Sequence, residues 1–321
     1  MERMLGQLQW QKSLCYLEDI LIHSHTVEQH FANLLAVFQR LRDANLKLKP
    51  SKCHFFRRQV SFLGHVISQE GVQTDPNKIQ NILECPAPRD VHEVRSILGL
   101  YSYYRRFIPG FSEIAKPLIW LTEKDRRFQW EDDQETAYRR LQQLMREAPV
   151  LAHPRQEGQF ILDTDASQEG IGAVLSQIQD GEEKVIAFGS KVLSKAERNY
   201  CITRRELLAV VHFTQQYKHF LLGRQFLVRT DNSAMRYWTR LTSDSYDPQG
   251  QAARWMVKLA AFNFIIRHRP GKQHGNADSL SRQPFLRCAQ CEIRHPGTLE
   301  SKRAKAVMRV KTEYRQSRQA Q

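Results

Sequence analysis

Three short apolar runs, Phe160-Ile161-Leu162, Gly170 to Leu175 and Val185 to Phe188, follow one another with only polar or Gly-containing turns between them. Runs this short, bounded by turn residues, read as strands. Helical spacing then returns and predicts a long helix from Ser194 or Ala196 to Leu222. Beyond it come a strand (Gln225 to Thr230), helical segments around Ser233 to Leu241 and Gln251 to Phe262, a strand (Phe264 to His268), a Pro270-Gly271 turn and a short final helix. Three successive strands followed by alternating helices and strands imply an α/β (α+β) fold, a mixed sheet flanked by helices.

The pattern upstream is different. Ile20-Leu21-Ile22 follows an acidic pair, and Phe31, Leu34, Leu35, Phe38, Leu41 and Leu46 then recur at helical spacing, so a strand followed by a helix is expected. Gln59 to Ile67, with Gly64 inside and Gly71 beyond, reads as a hairpin. From Val91 to Leu121, Pro109-Gly110 and Pro117 break a helical pattern into short pieces. An amphipathic helix from about Asp132 to Glu147 leads into Ala148 to Pro154, where the main boundary is placed.

Composition narrows the function. A chain of 321 residues, 41% hydrophobic, is long enough for about two domains with real cores, which excludes a disordered tail. No run approaches the roughly 18 apolar residues of a membrane helix, and Met1 to Trp10 lacks the layout of a signal peptide. A soluble intracellular protein without membrane contact is expected, cytoplasmic and nuclear locations being equally open. Cys15, Cys53, Cys85 and Cys201 show no pairing pattern and fit reduced thiols. The balance of 48 Lys+Arg against 34 Asp+Glu, net +14, points to a polyanion, most simply nucleic acid. Residues 151–200 carry 5 basic and 8 acidic side chains, whereas residues 201–284 carry 13 and 5. The later half is the better candidate for gripping a polyanion.

Four acids in the second half occupy suggestive places. Asp165 ends the first strand, Glu206 lies in the long helix, Asp231 ends a later strand and Asp278 starts the last helix. Strand ends and a helix start can converge at one sheet edge. Clustered carboxylates repel, and hard cations make such a cluster tolerable. Four carboxylates would balance two Mg²⁺ ions, a set able to activate water and stabilise a leaving oxygen in phosphodiester hydrolysis. Each acid alone reads equally as a solvated surface residue or a helix cap.

The words around these acids carry more weight. Phe160 to Ser167, Gly170 to Gln177, Arg198 to Val211, Arg229-Thr230-Asp231-Asn232 and His268 to Arg282 resemble, in order, the ribonuclease H domain of gypsy-type long-terminal-repeat retrotransposon Pol polyproteins. The resemblance implies that Asp165, Glu206, Asp231 and Asp278 are catalytic, metal-binding carboxylates for two Mg²⁺ ions, with Mn²⁺ as an alternative. Thr203-Arg204-Arg205-Glu206 departs from the family's usual Thr-Glu-Lys-Glu; arginine there either raises hybrid affinity or lies on a solvated helix face. Asp163 shares a strand face with Asp165 but is not at a ligand position. His268 and His274 are candidates for proton transfer, phosphate contact or plain surface.

The resemblance extends upstream. Cys15-Tyr16-Leu17-Glu18-Asp19 looks like the reverse-transcriptase palm motif Tyr-X-Asp-Asp, making Glu18 and Asp19 a remnant polymerase site. Phe62-Leu63-Gly64 resembles the primer-gripping hairpin, and Leu98 to Ile108, with Arg105 and Arg106, the thumb. Phe62, Leu63, Gly64, Arg105, Arg106, Arg269 and Lys272 are therefore expected to touch nucleic acid. The motif begins close to Met1, and the upstream aspartate that completes a polymerase site is missing from the chain. Glu18 also stands where the first aspartate is expected, one methylene too long.

The expected map is a partial palm (1–75), thumb (76–125), connector (126–157), RNase H-like domain (158–284) and a basic, flexible tail (285–321). In the tail, Cys288 and Cys291 form at most half of a zinc site. The expected function is hydrolysis of the RNA strand of RNA–DNA hybrids, with polymerase activity lost. The alternative is a decayed or co-opted fragment that binds nucleic acid without catalysis. Expected partners are the hybrid, primer–template, and an upstream polyprotein portion or a dimer partner.

Overall fold

The computed structural model describes residues 1–231 and 250–269. Helix α1 (Glu2–Leu5), the hairpin of β1 (Ser13–Tyr16) and β2 (Asp19–Ile22), and helix α2 (Val27–Asp43) come first. Thr26 starts α2 by accepting a hydrogen bond from the Gln29 N–H at 3.2 Å, satisfying one donor that a helix start leaves unpaired. Val37 and Leu41 on its inner stripe close over Leu5 and Cys15 in a small core.

Strands β3 (Gln59–Phe62), β4 (His65–Ser68) and β5 (Val72–Thr74) form an antiparallel meander. Five helices follow: α3 (Pro76–Leu83), α4 (Val91–Tyr103), α5 (Phe111–Ile114), α6 (Lys116–Trp120) and α7 (Asp132–Arg146). Asp75 and Asp90 cap α3 and α4, and Pro76 occupies the first turn of α3, where its missing N–H costs nothing. These helices bury Tyr101, Phe107, Leu118, Tyr138, Leu141 and Met145 in a second core.

The third core lies beneath a five-stranded sheet. Its strands are β6 (Phe160–Ala166), β7 (Gly170–Gln179), β8 (Glu182–Val192), β9 (Gln225–Thr230) and β10 (Asn263–His268), in spatial order β10-β9-β6-β7-β8. Strands β6 to β8 are an antiparallel meander, while β9 runs parallel to β6 and β10 parallel to β9. Phe160, Leu162, Leu175, Phe226 and Val228 point to the helices and are buried with Leu207, Val210 and Phe213. The mixed sheet expected from the strand pattern is present.

The long helix expected from residue 194 or 196 to 222 is three pieces: α8 (Lys195–Arg198), α9 (Ile202–Gln216) and α10 (Lys218–Leu221). The break has a local cause. A capping box between Ser194 and Glu197 starts a short helix, and Cys201 then takes an extended conformation that begins a new one. Tyr200 in the break packs edge-on against Trp255 of helix α11 (Gln251–Ala260), with ring centroids 5.9 Å apart. The expected helix at 233–241 lies outside the described residues. No helix among the described residues is long and apolar enough to cross a membrane.

The helical unit and the sheet touch directly. Val72 and Leu151 exchange backbone hydrogen bonds of 2.8 and 2.9 Å, and His153 Nε2 donates to the Ser68 carbonyl at 2.9 Å. The Ser112 N–H donates to Ser190 Oγ at 2.9 Å, fixing α5 on β8.

Candidate active site

The parallel register of β6 and β9 pairs Asp163 with Arg229. Two residues further on come Asp165, still within β6, and Asp231, just past the end of β9. Glu206 reaches the same point from α9, and one carboxylate oxygen from each of the three acids lies within 4.8 Å of the others. Asp165 and Asp231 are exposed, whereas Glu206 is 2% exposed. The backbone of Ala166 donates to the Glu206 carboxylate, and Thr230 Oγ1 lies 3.5 Å from its Oε2.

Burial, together with the charges of Asp231 and Asp165, pushes the Glu206 carboxyl well above its ordinary value of 4.5. In metal-free protein, folded Glu206 therefore holds a proton that the unfolded chain has already shed. That costs stability, increasingly as pH rises from 4.5 through the raised value, and the cost is constant above it. A Glu206→Gln chain in chelator should thus melt higher than the parent at pH 8, and the gap should close as pH falls toward 4.5. The partly buried His65 and His212 and the more exposed His219, whose pKa values burial lowers, titrate in both proteins and cancel in the difference. Calorimetry across pH on the two chains measures it.

The other expected site residues fall into distinct groups. Asp278 and Lys272 lie outside the described residues, as do His274, Cys288 and Cys291. Glu18 and Asp19 are exposed at the tight β1–β2 turn, where Leu17 has φ 52°. Phe62, Leu63 and Gly64 form the β3–β4 turn, and the carbonyls of Leu63 and Gly64 accept hydrogen bonds from the hydroxyls of Tyr103 and Tyr104. Glycine is favoured at position 64, where φ is +73° and a Cβ would sit 2.8 Å from the Tyr104 hydroxyl. The Arg269 N–H donates to the Thr230 carbonyl at 2.9 Å, beside the acidic cluster.

Arg105 and Arg106, expected to touch nucleic acid, are partly buried and bonded within the protein. Arg105 donates to the Ser190 carbonyl and to Ser112 Oγ, and its guanidinium lies over the Phe111 ring. Arg106 reaches toward the Ile186 carbonyl at 3.4 Å, and burial lowers its pKa. Both side chains are turned inward onto β8, where they join the helical unit to the sheet. Their spacing on a basic, aromatic segment looked the same as that of solvent-facing arginines.

Arg204 and Arg205 are also tied down. Arg204 lies over Tyr200 and donates to Gln251 Oε1 at 2.8 Å, while Arg205 donates to the Ser167 carbonyl at 2.8 Å. His268 Nε2 donates to the Asp231 carbonyl at 2.8 Å. Sequence reasoning missed the supports of the turn after Asp165. Ser167 Oγ donates to Glu113 Oε1 at 2.6 Å, and Lys116 pairs with Glu169 at 2.8 Å. Those partners lie about 50 residues upstream, where no local periodicity could signal them.

A mixed five-stranded sheet with clustered acids at its strand ends is preceded by a two-stranded hairpin, a three-stranded meander and a helical unit. Residues 130–228 match the family described as an RNase H-like domain found in reverse transcriptase, and residues 1–67 match reverse transcriptase (RNA-dependent DNA polymerase). The chain belongs to this reverse-transcriptase family, an enzyme family, and resembles transposon Pol polyproteins. The retrovirus-related Pol polyprotein from transposon 297 of Drosophila melanogaster is 38% identical over 283 residues, covering 88% of this chain and 26% of the polyprotein. The transposon Tf2-3 polyprotein of Schizosaccharomyces pombe is 35% identical over 281 residues, covering 87% and 21%. The chain thus spans about a quarter of the length of the curated relatives it matches.

Among solved structures, the foamy viral protease-reverse transcriptase dRH in complex with double-stranded DNA aligns with a TM-score of 0.71 at 23% identity, over 83% of this chain and 47% of that one. The foamy viral protease-reverse transcriptase in complex with an RNA/DNA hybrid aligns at 0.70 and 22%, over 92% and 39%. At that identity the likeness speaks for the fold.

Proposed function

We propose that the RNase H-like domain of this gypsy-type chain hydrolyses the RNA strand of RNA–DNA hybrids, using divalent cations held by Asp165, Glu206, Asp231 and Asp278. The observation that carries the reading is the convergence of Asp165, Glu206 and Asp231 within 4.8 Å. An all-oxygen, anionic donor set with one buried member suits a hard cation such as Mg²⁺ or Mn²⁺. Bound there, two such ions would supply Lewis-acid activation of a water and stabilisation of the leaving oxygen.

The chain's own residues do the rest. The Ala166 N–H fixes one face of the Glu206 carboxylate, so a ligand is aimed before any cation arrives. Asp165 and Asp231, exposed at adjoining strand ends, leave the outer side of the cluster open to a phosphodiester. Arg269 and Lys272 are proposed to contact the backbone of the hybrid, which a solved relative of this fold holds in complex. For the palm-like hairpin we propose no polymerase activity, because Glu18 displaces one carboxylate of the motif by a methylene. Primer–template contact is proposed at the Phe62–Gly64 turn.

The purified chain, given a labelled RNA–DNA hybrid and Mg²⁺, should cut the RNA strand and stop on chelation, leaving RNA–RNA and DNA–DNA duplexes intact. Saturable hybrid binding without any cleavage would replace this reading with that of a non-catalytic binding fragment.

A further inference from the structure

One set of charged residues beside the acidic cluster has no part in the chemistry above. Arg229 on β9 faces Asp163, its register partner on β6, and grips it with two prongs: Nε donates to Oδ1 at 2.5 Å and Nη2 donates to Oδ2. The same guanidinium continues to Glu183 at the start of β8, with Nη1 to Oε2 at 2.9 Å and Nη2 to Oε1 at 2.5 Å. Ser176 on β7 then donates to Glu183 Oε1 at 2.7 Å. The result is a polar tie across β9, β6, β7 and β8. Arg229 and Asp163 are 15% and 16% exposed, so this is a partly desolvated, bidentate pair rather than a loose surface contact.

Its position matters. Asp163 precedes Asp165 by two residues on β6, and Arg229, the last register partner on β9, precedes Asp231 by two, so the attractive pair lies just behind the repelling pair where the two strands end. Two like charges at adjoining strand ends push those ends apart, and the fork behind them resists that push. We propose that Arg229, with Asp163 and Glu183, is a positioning device that sets the separation of Asp165 and Asp231 for a divalent cation. This rests on the reading of the cluster as a cation site.

Electrostatics and positioning predict opposite signs. Removing Arg229 takes away a positive charge and uncovers two carboxylates, so charge alone would tighten cation binding. A lost clamp weakens it, as loss of a ligand-orienting partner does, by roughly 10- to 100-fold. Mn²⁺ binding to the intact chain, read from the electron paramagnetic resonance of free Mn²⁺ without substrate, separates the two. Arg229→Met should bind Mn²⁺ at least about 10-fold more weakly than the parent. Arg229→Lys, which keeps the charge but not the fork and serves if the Met variant does not fold, should weaken binding as well.

Parent-like or tighter binding by the variants, while Asp165→Asn is weaker than the parent, would overturn the clamp and leave the cation site standing. A parent that binds no better than Asp165→Asn would overturn both.

Discussion

Asp165→Asn should lower cleavage of an RNA–DNA hybrid by about 1,000-fold, or about 4 kcal/mol of transition-state stabilisation, without lowering the melting temperature. Asparagine keeps the shape and the strand but removes a formal charge from the set that would hold the cations. Asp165 is exposed, so little burial is lost with it. Its charge is also one of those that raise the Glu206 pKa, so the folded protein is relieved of repulsion when it goes. Initial rates and calorimetry on the same preparations check both halves. Activity within tenfold of the parent would show that Asp165 is no cation ligand, and a collapse in melting temperature would show that it is structural.

The second large effect is on stability. Gly71 has φ +149°, and a Cβ there would lie 2.2 Å from the Leu151 carbonyl oxygen and 3.1 Å from Val150 Cγ1. The obstacle is backbone, and it is the same carbonyl that accepts from the Val72 N–H at the join between the β3–β5 meander and the sheet. Gly71→Ala must therefore adopt a strained φ and push the two strands apart. We expect a loss of about 3 kcal/mol, seen as a fall in melting temperature of roughly 5–10 °C. Mn²⁺ affinity should be unchanged, because the join is remote from Asp165 along β6. A parent-like melting curve would mean that the join yields easily.

The fold was legible where the pattern is periodic. Phe160, Leu162 and Phe226 declare buried strand faces, and the three-strand meander followed by helix and strand allows few sheets. The position of Asp165 on β6 and of Asp231 just after β9 also followed from strand ends. The register did not: only the pairing of Asp163 with Arg229 shows that these two ends adjoin. The break at Tyr200 and Cys201 escaped notice because a helix interrupted by one turn keeps its apolar spacing, while the Ser194–Glu197 capping box was available as a signal. The bonds of Arg105 and Arg106 to β8 carbonyls were not legible, because composition cannot tell an arginine facing phosphate from one facing a strand's carbonyls. Likewise Asp163, which shares a face with Asp165, proved to be an ion-pair partner, and its partner Arg229 lies 66 residues away.

The chemistry of the cleaved ends tests the account most directly. On the proposed reaction, an external water activated at the carboxylate cluster would attack phosphorus without using the RNA 2′-hydroxyl. The RNA fragments released from a hybrid by the parent chain in Mg²⁺ should therefore carry no 2′,3′-cyclic phosphate, and none should form with Asp165→Asn or in chelator. Cyclic phosphate ends, or cleavage that persists without a divalent cation, would contradict a reaction run by Asp165, Glu206 and Asp231.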